Sequence, residues 1–230
     1  SNLSYLNYIR NSGISSFLQN SANNLYNNKQ IPKNDLISDI KNLKELKNYI
    51  CNSSHRISKR FNKNAVLGRG DSNAKFMIIG EPPSNDENVS GKTFSGESEV
   101  LLNKMLAAIN INFNDVYLVN IIPWLISENK NPTNDEILKC LPFIQRYIEL
   151  VQPKIIILLG SIAAKSILNT NLPFSELREK WHKYNSINIS KPIECIVSYN
   201  PYFLLTSPSH KKYSWKDLKN IHQKIIDENI

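Results

Sequence analysis

The sequence predicts a three-layer α/β/α sandwich with a central, mainly parallel four-stranded sheet, preceded by N-terminal helices. Two observations carry that class. Short apolar runs recur at 76–79, 116–122, 154–159 and 193–197. They are apolar almost throughout, as strands covered on both faces are, instead of alternating. Segments of helical period lie between them: LLNKMLAAI, NDEILKCLPFIQRYIELV and SIAAKSILN. Strands that alternate with helices pack as a parallel sheet between helical layers.

Before the first run the pattern is helical and polar. Leu3, Leu6 and Ile9, then Ile14, Phe17 and Leu18, fall near helical spacing, with Gly13 as a break. Leu36, Ile40, Leu43 and Leu46 form a second stripe behind Asn34, a residue suited to an N-cap. These features predict a helical extension over 1–48 and an α/β domain over 49–230.

The first strand run stops at Gly80 and delivers an acid and two prolines, Glu81, Pro82 and Pro83, to its carboxyl end. A polar loop then runs to a lone aromatic, Phe94. Open α/β sheets bind ligands at the carboxyl ends of their strands. Glu81, Asn120, Gly160 and Asn200 all stand at or just past a strand end, so adjacent strands would gather them on one rim. Taken singly, each has a plainer role: Glu81 an exposed acid in a rigid turn, Phe94 core packing, Asn120 a strand-end cap.

The totals bound the function. The chain has 230 residues, 41% hydrophobic and 21% charged, with 28 Lys+Arg against 20 Asp+Glu for a net charge of +8. That excess favours a polyanion, nucleic acid first, although heavy use of Asn, Ile and Lys throughout points to compositional bias as well. Three widely spaced cysteines argue against a disulfide framework. No run has the length of a membrane span and no leader pattern opens the sequence. The expectation is a cytoplasmic, nucleoid-associated monomer without a membrane partner. Neither GxGxxG nor a GK[ST] loop occurs, which weakens a flavodoxin-like or nucleotide-binding reading.

Four segments in order, GEPPSNDENVSGKTFSG, VYLVNIIPW with NKNPTNDEILKC, VQPKIIILLGSIAAKSIL and SYNPYFLLTSPSHKKYSWKDL, resemble the uracil-DNA glycosylase superfamily, most closely its family 4. The resemblance implies a monofunctional DNA-repair hydrolase of the N-glycosidic bond of uracil, acting on single- or double-stranded DNA by base flipping. It makes Glu81 and Asn200 catalytic and assigns uracil binding to Gly80, Pro83, Glu87, Phe94 and Asn120. Phe94 is then the stacking platform, Asn120 reads N3–H and O4, and Glu87 lies near the uracil C5 edge and disfavours thymine. A carboxylate such as Glu81 stabilises the oxocarbenium-like sugar and orients water. Leu204 or Leu205 would wedge into the duplex; both could equally be core. Ser207, Ser209, His210, Lys211 and Lys212 would contact phosphates.

The match departs from the family at several positions. Family 4 carries four cysteines that bind an iron–sulfur cluster. Here Cys51 and Cys140 stand at two of those positions, while Ser54 and Trp124 stand at the others, and Cys195 fits none. The expectation is no metal and no cofactor, the cluster having been lost. Asn200 replaces the usual His that donates to uracil O2, and Thr206 replaces an Arg. These changes predict a weakened enzyme, the alternative being a catalytically silent protein that binds uracil-containing or single-stranded DNA.

Overall fold

The centre of the sheet is built from strands that leave no face for water. The structure, a computed structural model, describes residues 37–126 and 131–230. The strands are β1 (Phe61–Ala65), β2 (Arg69–Gly70), β3 (Phe76–Gly80), β4 (Val116–Asn120), β5 (Trp124–Ile126), β6 (Ile155–Leu159), β7 (Trp181–Tyr184) and β8 (Ile193–Ser198). The main sheet runs β2-β4-β3-β6-β8-β7, and a separate pair joins β1 to β5. The four interior strands are mutually parallel. They are the four predicted strands. The sheet is wider than predicted because β2 and β7 add antiparallel edges. Two residues in β2, and WHKY in β7, are too short or too mixed to show a strand pattern.

Side chains alternate between two cores, as a period of two requires. Met77, Ile79, Tyr117, Val119, Ile156, Leu158, Cys195 and Val197 point into one core. Phe76, Ile78, Val116, Leu118, Ile155, Ile157, Leu159 and Ile196 point into the other. Over the first face lie α1 (Leu43–Cys51), the short α2 (Ser54–Ile57) beside it, and, later in the chain, the helices of 134–151 and 161–168. The other face is covered by helices of 97–107, 201–206 and 211–228. In chain order the helices after α2 are α3 (Asn85–Ser90), α4 (Glu97–Ala107), α5 (Asn134–Val151), α6 (Ser161–Leu168), α7 (Phe174–Leu177), α8 (Pro201–Thr206) and α9 (Lys211–Glu228). Burying one such Ile or Leu fully contributes about 1.5–3 kcal/mol.

Helix α1 starts at an Asn42 cap, whose side chain accepts from the Glu45 N–H. It crosses the expected boundary at 48, and its Leu46 and Ile50 are fully buried in the first core. The helical stripes placed on Leu3–Leu18 and at Leu36 lie outside the described residues. Among the described residues, no helix is long and apolar enough to cross a membrane.

Candidate active site

Strand register brings the candidate residues to one edge. Gly80 pairs with Asn120 across β3 and β4, and Leu159 pairs with Ser198 across β6 and β8. With the strand order β4-β3-β6-β8, the carboxyl edge therefore reads Asn120, Glu81, Gly160, Asn200.

Glu81 is seated against the start of α6. Its Oε1 accepts the Ile162 backbone N–H at 3.0 Å, and the Ser161 N–H also reaches the carboxylate. Burial raises the carboxyl pKa above the ordinary range, and these two hydrogen bonds oppose it. The seat exists because residue 160 is glycine. Gly160 has φ +111°, and a Cβ there would lie 2.4 Å from Glu81 Cδ. Pro82 and the buried Pro83 stiffen the chain directly after the acid.

Glu87 ties the loop to the sheet. Ser84 caps α3, and Glu87 completes the capping box by accepting the Ser84 N–H through Oε2 at 2.8 Å. Its Oε1 accepts from the Phe94 backbone N–H at 2.7 Å and from Asn120 Nδ2 at 3.0 Å. Asn120, 2% exposed, is thus held by one amide hydrogen with its Oδ1 toward Gly80. A Cβ on Gly80 would meet Phe94 Cζ at 2.6 Å and Asn120 Oδ1 at 2.8 Å, so the missing side chain is what lets the ring and the amide converge. The resemblance sets Glu87 at the uracil C5 edge; in the structure both of its oxygens serve the protein's own donors.

Phe94 is 3% exposed and packs in the second core. Its backbone is left-handed, at φ +52°. Arg69 holds that turn: Nε donates to the Thr93 carbonyl at 2.8 Å, and Nη2 donates to the Phe94 carbonyl at 2.9 Å and to Glu99 Oε1 at 2.8 Å. Nothing in the sequence singles Arg69 out, because it lies in the two-residue edge strand β2, 24 residues before the turn it supports.

Asn200 caps α8. Its Oδ1 accepts the Tyr202 N–H at 2.9 Å, while Nδ2 makes a long contact of 3.4 Å to the Leu159 carbonyl. The expectation for Leu204 as a wedge needs correction. Leu204 is 1% exposed and packs into the second core, because its face of α8 turns toward α4. Leu205 is half-buried. Of this helix, Tyr202 and Phe203 face solvent, at 58% and 38% exposure. Ser207, Ser209, Lys211 and Lys212 follow at the surface around the Pro208–His210 turn. Ser209 contacts the His210 ring, and Lys212 Nζ sits 5.0 Å from the Tyr213 ring centroid.

A buried ion pair anchors this segment. Arg178 donates to both oxygens of Asp217, at 2.9 and 3.0 Å, and Ser198 Oγ donates to the same carboxylate at 2.8 Å. Burial pushes the Asp217 pKa up to about 6 despite these partners. Sequence reasoning missed the pair, since 39 residues separate its members.

Residues 67–219 match the Uracil DNA glycosylase superfamily. A type-4 uracil-DNA glycosylase of Archaeoglobus fulgidus is 33% identical over 69% of this chain and 80% of its own length. The Saccharolobus solfataricus type-4 enzyme is 31% identical over 74% and 81%. That of Sulfurisphaera tokodaii is 30% identical over 73% and 77%.

These relatives overturn the expectation that the iron–sulfur cluster is lost. They are type-4 enzymes, the group whose resemblance brings the cluster with it, and a gap among the donors does not establish a loss. The donors themselves do not fit a four-thiolate cluster. Cys51 is exposed, and burial drives the Cys140 thiol pKa upward. Ser54 is buried, and Trp124 stacks on Phe61 at 5.4 Å and meets Phe143 edge-on at 5.9 Å. Among the described residues, no three His, Cys, Asp or Glu side chains are grouped to hold a metal.

Proposed function

Because the chain belongs to the uracil DNA glycosylase superfamily, we propose that it hydrolyses the N-glycosidic bond of uracil in DNA. The observation that carries this reading is the Glu81 carboxylate, seated on the amides of Ser161 and Ile162 at the same sheet edge as Asn120.

A flipped uracil enters this edge. Glu87 takes one Asn120 amide hydrogen. Asn120 Oδ1 then accepts uracil N3–H, and the remaining amide hydrogen is donated to O4. Cytosine carries an acceptor and a donor at those two places, so it is refused. Phe94 supports the base at the pocket wall, and Gly80 and Pro83 let it approach the backbone closely. As the glycosidic bond breaks, positive charge develops on the sugar and negative charge on the base. The ionised Glu81 stabilises the first and orients the attacking water. Asn200 donates from Nδ2 to uracil O2 and stabilises the second. An amide reaches less far than an imidazole and carries no charge, and losing a full donor of this kind costs about 10²–10³ in rate. The enzyme is therefore slower than a relative with His at this position. None of these residues offers an amine for a Schiff base, so the reaction stops at the abasic site.

One observation favours a second reading, a silent protein that binds uracil-containing or single-stranded DNA: both polar atoms of Asn200 already have intramolecular partners. Incubating excess protein with a uracil-containing oligonucleotide and measuring free uracil decides between the two. Release that disappears in Glu81→Ala supports hydrolysis; no release at any protein excess leaves the binding reading.

A further inference from the structure

Beside the candidate active site lies a run of stacked rings that the reaction does not use. Tyr199 stands between Ser198, the last residue of β8, and Asn200. Its ring lies under the Arg178 guanidinium, 4.5 Å from the centroid, and Asp217 pins that guanidinium. Phe203 stacks on Tyr199 at 5.4 Å with only 14° between the ring planes. His210 meets both rings edge-on, at 5.2 and 5.0 Å, and so braces the pair. The stack is thus rooted in a buried ion pair and ends at the surface, where Phe203 keeps its 38% exposure. Lys211 and Lys212 are exposed on the next helix.

A core aromatic would be covered, and a lone surface phenylalanine would not be braced on an immobilised partner. A rigid, exposed ring with two exposed lysines on the helix that follows matches what single-stranded nucleic acid needs: a face on which an unpaired base stacks, and cations that follow its phosphates. A duplex keeps its bases paired and offers no free base face. The net charge of +8 has the matching sign.

We infer that the Tyr199–Phe203 stack is a platform for an unpaired base next to the uracil, and that it gives the protein a preference for single-stranded DNA. The inference rests on the glycosylase reading for which base lies next door, but not for the binding itself. The base adjoining the flipped uracil extends the stack from Phe203, while Lys211 and Lys212 hold the flanking phosphates.

The test uses the full chain and a fluorescent, uracil-free oligonucleotide, single-stranded or annealed to its complement, with affinity read by anisotropy. Wild type binds the single strand more tightly. Phe203→Leu keeps an apolar side chain at a solvent-facing site but removes the ring, and it weakens single-strand binding about 5- to 150-fold, the range for one stacked base. Duplex binding changes by less than about twofold, and Phe203→Trp restores the single-strand affinity. Equal affinity of wild type for the two DNA forms, unchanged single-strand binding in Phe203→Leu, or equal losses on both forms overturns the platform. Uracil release measured alongside separates the two readings. If wild type releases none from either form, hydrolysis fails, and the binding comparison still decides the platform.

Discussion

The Glu81 carboxyl group occupies the space that a side chain at Gly160 would need: a Cβ on Gly160 would stand 2.4 Å from both Cγ and Cδ of Glu81. The acid is therefore positioned by the strand that precedes it and by an absence on the neighbouring strand. Gly160→Ala should push the carboxylate off the α6 amides and strain a backbone at φ +111°. Displacing a reacting group by about 1 Å can cost on the order of 10²-fold. Single-turnover uracil release should fall at least that far. A Gly160→Ala variant as fast as wild type would show that the Glu81 seat is irrelevant to the chemistry.

Glu81→Gln should separate stability from activity. Burial raises the folded-state pKa of Glu81, so the folded protein binds the proton more tightly than the unfolded chain. That contribution is fully present below the unfolded pKa and is lost as pH rises through the folded value. At pH 7.5 the variant should melt higher than wild type, and the gap should close on acidification. Uracil release should drop 10²-fold or more at pH 7.5, and this gap too should narrow on acidification. In wild type, release should decline as pH falls and Glu81 takes up its proton. A lower melting temperature at pH 7.5 would mean that the α6 amides outweigh burial.

The Glu87 carboxylate holds Asn120 and the Phe94 turn together, so its removal should blur base selection. In Glu87→Ala, free uracil should lose its advantage over free cytosine as a competitive inhibitor, and release should slow at least tenfold. Glu87→Gln keeps one oxygen for Phe94 and Asn120 and should recover most of both. A purely structural Glu87 would lower the melting temperature and leave the inhibitor ratio intact.

Asn200 combines a helix cap with the proposed leaving-group donor. Asn200→Ala should cost about 1 kcal/mol of stability from the lost cap and slow release by up to about 10²-fold, with DNA affinity nearly unchanged, because charge on the base develops only in the transition state. Asn200→His should match or exceed the wild-type rate. If Asn200→Ala cleaves at the wild-type rate, the cap is its whole role.

Lys211 and Lys212 should appear in the salt dependence. DNA affinity should fall steeply with salt, and each Lys→Ala change should reduce the slope of log affinity against log salt by about one. Unchanged slopes would remove both residues from the phosphate path.

What the sequence determined by itself is what periodicity and chain order encode. The four interior strands were legible because burial on both faces leaves uninterrupted apolar runs, as in Ile155–Leu159. Glu81, Asn120 and Asn200 were legible as strand-end positions, and parallel order alone put them on one edge. The tertiary structure decided what depends on approach between distant residues. It turned Leu204 into the core and left Phe203 outside, a choice that the six residues of Pro201–Thr206 do not make until α8 meets α4. It joined Glu87 to Asn120 across 33 positions and Arg178 to Asp217 across 39. A local pattern specifies which face of an element is apolar. It does not specify which neighbour that face meets, because that is settled only when sheet and helices pack and every buried charge must find its partner.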